Sequence, residues 1–276
     1  MNLLFKIFAN LIILLSISFP ASGQPNPSPI SLGATYLQQE LGFYVGLGQN
    51  MQSGDMLVDC EECVFKSGVK FGYTLGLMYE ADLFSRFRWG VLAEYNYRGY
   101  EALFSEIESV PIYYQLSDKT IEERANLKFN HNADVDLSYL GIAPFIKWDP
   151  WDFVFLRMGL DFSFGLSSNI VHVKQLDQKT LKISTGEIKE IYIDKKGNRQ
   201  SEVQNSELNG FKSFAIGLRP ALGFTIPFSK SVFFSPIFEY YIPMTSISDF
   251  SKELSVSSWR LLFELRIVLE KRTGRR

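Results

Sequence analysis

Residues 69–81 read VKFGYTLGLMYEA. Val69, Phe71, Tyr73, Leu75, Leu77 and Tyr79 occupy the odd positions. Lys70, Gly72, Thr74, Gly76 and Glu80 occupy the even ones, with Met78 the one exception. A period of two puts successive side chains on opposite faces of an extended strand. Ordinary globular strands run about 5–6 residues, whereas a strand crossing a bilayer takes about 9–11. One greasy face and one face carrying Lys and Glu, held over this length, fit a wall with lipid outside and a polar interior.

Composition points the same way. The 276 residues include 24 Phe and 13 Tyr, a supply of rings suited to interfacial girdles. Mean hydropathy near zero argues against several apolar helical spans. A net charge of −2 suggests no nucleic-acid partner. Residues 1–23 read as a cleaved signal peptide: Lys6, an apolar run over 7–19, and small residues up to Gly23. Residues 24–39 begin QPNPSP and read as an extended leader, because each proline fixes φ and lacks an amide donor. Cys60 and Cys63, the only cysteines, stand in CEEC and read as a local disulfide or free thiols; metal or redox chemistry is the alternative.

Seven more stretches are expected as strands. In 41–49, Leu41, Phe43, Val45 and Leu47 share a face opposite Gly42, Tyr44, Gly46 and Gly48. In 87–99, Trp89, Val91, Ala93, Tyr95 and Tyr97 oppose Arg88, Glu94 and Arg98. The stretch 136–147 leaves its faces open, since apolar residues fall on both parities. In 153–166, Leu156, Met158, Leu160 and Phe162 oppose Arg157 and Asp161. Stretches 213–228, 231–243 and 257–270 repeat the pattern, with Arg219, Glu239, Arg260, Glu264 and Arg266 on the polar face. Pro220 and Pro236 fall on apolar-face positions, where each should cost a ladder bond, so a bulge or break is expected there.

The connections alternate long, short, long, short, long, short, moderate. Residues 100–135 and 167–212 are expected as the long loops, with a hairpin over 182–199. This rhythm predicts an all-β, eight-stranded antiparallel transmembrane barrel over 40–270, with short periplasmic turns, long extracellular loops and a basic tail at 271–276. A lipocalin-type soluble barrel is the structural alternative; it would use the same alternation with the apolar face turned inward.

The lumen of eight strands is just wide enough for side chains to fill it. Lys70, Glu80, Arg88, Glu94, Arg98, Arg157, Asp161, Arg219, Glu239, Arg260, Glu264 and Arg266 are therefore expected to pair there as a plug. A narrow small-solute channel is the alternative.

GFYVGLG at 42–48, FGYTLGLMYEADL at 71–83, FRWGVLAEYNYRGY at 87–100 and YLGIAPFIKW at 139–148 resemble the outer-membrane β-barrel domain family that includes the PorT-like barrels and is akin to the OmpA-type barrel. The resemblance covers nearly the whole mature chain. It implies an integral protein of a Gram-negative-type outer membrane, inserted by the barrel-assembly machinery. It carries no catalytic residues, no cofactor and no metal ligand. The reading is a monomer contacting lipid, with a structural or binding role through external loops and an unnamed extracellular ligand. An enzyme acting on lipid A is a further alternative. It would draw on His131, close to Asp134, or His172, near Ser167 and Ser168, all read as loop residues.

Overall fold

The computed structural model describes residues 38–57, 64–116, 119–182, 186–194, 196–251 and 253–269. The signal peptide, nearly all of the leader, the CEEC pair and the basic tail lie outside them. In chain order the strands are β1 (Gln39–Ser53), β2 (Met56–Leu57), β3 (Val64–Phe65), β4 (Val69–Phe84) and β5 (Phe87–Tyr97). Then follow β6 (Tyr100–Leu116), β7 (Lys119–Trp151), β8 (Val154–Leu176), β9 (Thr180–Lys182) and β10 (Ile188–Glu190). The last are β11 (Gln200–Ser206), β12 (Phe214–Phe224), β13 (Ile226–Pro227), β14 (Val232–Pro243) and β15 (Ser255–Leu269).

The expected eight-stranded architecture is corrected by this count. The described residues hold fifteen strands, and eleven belong to one antiparallel sheet. The sheet runs β11-β8-β12-β14-β15-β1-β4-β5-β7-β6, with β13 on β14, and β7 also pairs with β8. Two small hairpins, β2–β3 and β9–β10, stand apart from it.

Each of the eight expected stretches overlaps one or more of these strands, and the larger differences lie in the connections. Residues 100–135, expected as a loop, form β6 and the first half of β7, paired from Tyr100↔Val135 to Leu116↔Lys119. Residues 167–176 continue β8 beyond the expected strand, and β11 pairs alongside them. In place of the hairpin expected over 182–199, a shorter pair forms, β9 against β10 from Thr180↔Glu190 to Lys182↔Ile188, with Gly186 in the left-handed region at φ 86°.

The sheet therefore has two regions along its strands. In the first, β5 pairs with residues 138–148 of β7, and β12 with residues 154–164 of β8. In the second, β6, residues 119–137 of β7, residues 167–176 of β8 and β11 continue past the point where β5 and β12 end. The second region is called the extension below.

Alternation decides what each face of the first region meets. Leu41, Phe43, Phe71, Leu75, Leu77, Leu140, Ile142, Ile146, Leu160, Phe164, Phe238 and Ile267 are exposed. Their inward neighbours Tyr44, Thr74, Met78, Glu80, Glu94, Tyr139, Ala143, Phe145 and Asp161 are buried. This resolves the stretch that sequence left open: even positions of β7 face out and odd positions face in. It also runs against the lipocalin alternative, which places the apolar face inside.

Both prolines interrupt a single seam. The β12–β14 register passes from Leu218↔Ile242 to Ala221↔Glu239, omitting Pro220. It then stops at Gly223↔Ile237, short of Pro236. On their other sides both prolines keep their register, opposite Met158 and Phe263.

Candidate functional site

Ten of the twelve charged residues expected on the inner face are buried; Lys70 and Arg88 are half-buried. Their positions follow from strand parity, which places every second residue of β4, β5, β8, β12, β14 and β15 on one face. They meet in three groups.

The central group joins six strands, β1, β5, β8, β12, β14 and β15. Arg157 donates to Glu264 at 3.0 Å and to Glu239 at 3.2 Å. Arg219 reaches Glu239 at 2.6 Å and Glu94, and lies 3.5 Å from Asp161. Arg98 donates to Asp161 at 2.9 Å and stacks on the Tyr241 ring at 3.8 Å. The Tyr44 hydroxyl also donates to Glu94. Arg260 differs: it donates to Asn50 Oδ1 and the Tyr97 carbonyl, both at 3.1 Å, rather than to a carboxylate.

The second group sits toward the short turns. Lys147 Nζ lies 2.6 Å from Glu80, Arg88 bridges Glu40 and Glu80 at 2.9 and 3.0 Å, and Arg266 reaches Glu40 at 2.8 Å. Glu40 and Lys147 were missed in the sequence reading. Glu40 shares parity with Gly42 and Tyr44, and that signal could have placed it inward. A polar cavity of about 300 Å³ opens here, lined by Gln38, Glu40, Arg88, Lys147, Asp149 and Arg266 among others. The third group, Lys70 with Asp134 at 2.5 Å and Asp136 at 2.7 Å, marks the start of the extension.

Buried ions lose hydration, so each needs a partner close at hand. The interlocked carboxylates and guanidinium groups meet that need by side chains alone. Inner-face glycines make room for the rings among them. A Cβ at Gly76 would lie 2.5 Å from the Tyr44 ring, and one at Gly217 would lie 2.2 Å from the Tyr241 ring.

A separate polar layer lies in the extension. His131 and His172, expected in loops, instead sit on β7 and β8, 2% and 0% exposed. The pairings Ala133↔His172 and His131↔Lys174 bring them onto one face. His131 Nδ1 lies 2.9 Å from His172 Nε2. His131 Nε2 lies 3.1 Å from Glu106 and 3.6 Å from Glu108 on β6, and Lys174 pairs with Glu108. An apolar cluster containing Phe65, Ala102, Ala133 and Ile170 lies on one side, and another containing Leu127, Phe129 and Leu176 on the other. Burial, assisted by Lys174, lowers the His131 pKa against the opposing pull of Glu108. Burial with neighbouring His131 and Lys174 brings His172 down to about 4. Burial tends to raise Glu108, yet hydrogen bonding with Glu106 and Lys174 holds it below the usual carboxylate value. Of the two histidines on which the enzyme alternative would draw, His172 places Nε2 against His131, and His131 places Nε2 beside Glu106 and Glu108.

No protein-family model matches the chain, and no curated protein does. Among solved structures the chain is similar to Neisserial surface protein A (NspA), at 13% identity over 83% of this chain and 97% of that one, with a TM-score of 0.35. It is similar to Ail, the attachment invasion locus protein of Yersinia pestis, at 14% identity over 83% and 98%, with a TM-score of 0.32. It is also similar to the translocator domain of the autotransporter NalP from Neisseria meningitidis, at 9% identity over 95% of each chain, with a TM-score of 0.25. Likenesses this distant assign no family. The resemblance to PorT-like and OmpA-type barrels therefore rests on the quoted motifs alone.

Proposed function

We propose that the chain is a non-catalytic outer-membrane β-protein whose first region spans the lipid and whose extension presents a binding surface outside the cell. One observation carries the reading: exposed Phe, Leu and Ile cover the outer face of the first region, while Arg, Lys, Glu and Asp lie buried on its inner face. In water that distribution is unfavourable by about 25 cal/mol for each Å² of apolar surface left wet. In hydrocarbon it is the favoured one. Short connections on the other end, such as the Ser85 turn between β4 and β5, suit the periplasmic side.

On this reading the ion-paired interior is a plug and the wall is a scaffold for adhesion or attachment. Membrane insertion depends on the barrel-assembly machinery, and lipid is the first partner.

Fractionation of cells expressing the full chain tests the location. The protein should enter the outer-membrane fraction and resist extraction by carbonate, and protease added to intact cells should cut within residues 100–135 or 167–212. Recovery in the soluble fraction overturns the reading. Planar-bilayer recording tests the plug: wild-type protein should show no steady open state, and a stable large conductance would establish the channel alternative.

A further inference from the structure

The polar layer of the extension brings two carboxylates and an imidazole together at one point. We propose that Glu106, Glu108 and His131 Nε2 form a site for one divalent transition-metal ion of the zinc class. One carboxylate oxygen from each glutamate and an imidazole nitrogen lie within 4.8 Å of one another, converging from two adjacent strands. Glu106 and Glu108 are two residues apart on β6, so parity places both on the face that His131 occupies on β7.

Charge supplies a second argument. Two carboxylates held together repel unless a proton or a cation lies with them. Lys174 neutralises one, through Glu108. A divalent ion held by both carboxylates and the imidazole meets the same need in a layer that lies between two apolar clusters.

The donor set selects the class of ion. Calcium takes six to eight oxygen ligands, and magnesium keeps most of its water. One imidazole nitrogen with two carboxylates suits zinc and its first-row neighbours. Three protein ligands leave a fourth position for water or for a donor from a bound partner. The second imidazole completes the site. With the metal on His131 Nε2, the proton sits on Nδ1 and is donated to His172 Nε2, 2.9 Å away. Such an outer partner fixes the tautomer and ring orientation of a ligating histidine. Lys174 remains beside Glu108 and limits affinity through charge repulsion. Protons compete for the same atoms, so binding weakens as pH falls. This assignment does not depend on where in the cell the protein resides.

The test uses full-length protein in detergent micelles, stripped with chelator, in a Cys60→Ser/Cys63→Ser background so that thiols cannot supply the binding. Zinc chloride is titrated by calorimetry, and the first shell is read by X-ray absorption. The expected result is one zinc per chain, bound through nitrogen and oxygen with one imidazole. E106Q/E108Q and, separately, H131Q should abolish binding at micromolar zinc. H172Q should weaken it by about 10–100-fold while leaving the ligand count unchanged. Circular dichroism checks that each variant keeps its β content. No binding by the wild-type layer, equal binding by E106Q/E108Q, or a first shell lacking imidazole overturns the proposal.

Discussion

Arg219 donates from both Nε and Nη2 to the same oxygen, Oε1, of Glu239, at 3.0 and 2.6 Å. Arg157 takes the other oxygen of that carboxylate. Glu239 thus holds two guanidinium groups, both nine-tenths or more buried. Removing one member of a buried ionic group strands the rest. Glu239→Ala should cost about 3–5 kcal/mol, read as a lower midpoint in urea unfolding from lipid vesicles. Replacing Arg219 and Arg157 with apolar residues in the Glu239→Ala chain also strands Glu94 and Glu264, so the triple variant should cost more than the single change. A triple variant no less stable than Glu239→Ala would show that pairing is not the reason for the sensitivity.

Gly217 on β12 lies beneath the Tyr241 ring, which is stacked on Arg98. Gly217→Ala pushes its methyl into that ring. The expected cost is about 1–3 kcal/mol, as for other overpacked interiors. Tyr241→Ala in the same chain should recover part of it. Additive losses would place the strain elsewhere.

His172 titrates near 4, against an ordinary value of 6.5. The unfolded ring therefore takes up a proton first as pH falls. The contribution of the neutral buried ring is complete above about pH 6.5 and is lost as pH falls toward 4, about 3 kcal/mol in all. The groups around it are His131 from β7, Lys174 on its own strand, and Glu106 and Glu108 from β6. Gln204 from β11 stands opposite, and the Phe65 ring packs edge-on at 5.4 Å. Hydrogen exchange in zinc-free buffer should show residues 119–137 and 167–176 opening across that window. His172→Gln should flatten the response there and leave the first region unchanged.

Leu160 on β8 is 44% exposed and Ile107 on β6 is 74% exposed. The two differ in solvent if the first region alone is in lipid. Leu160→Arg should cost about 2–4 kcal/mol in vesicles and Ile107→Arg about 0–1. Similar costs at both positions would remove the distinction between the two regions.

The outward apolar rows were legible because nothing interrupts their period. In 69–81 and 153–166 one parity is bulky throughout, and in the structure that parity is turned outward. The extension was not legible for the opposite reason. EALFSEIESVPIYY over 101–114 places Leu103 and Ile107 outward with Ser105 and Ser109, while Glu106 and Glu108 share the other face with Ala102 and Ile112. Polar and apolar residues on both faces read as a loop, and only pairing with β7 reveals the strand. Lys147 was hidden by the doubled apolar pattern of 136–147. The two histidines are 41 residues apart in sequence, so their contact depends on the register of β7 against β8, which no local pattern reports.

β7 runs 33 residues without a break, and at about 3.3 Å per residue its extension portion alone reaches about 60 Å if unbent. A load pulling on the far end of the β6–β7 hairpin is directed along the strand. It meets the ladders to β5 and β8 in shear, where many bonds resist together, rather than peeling them one at a time. Tension applied there is spread along β7 into the ladders of the first region at once.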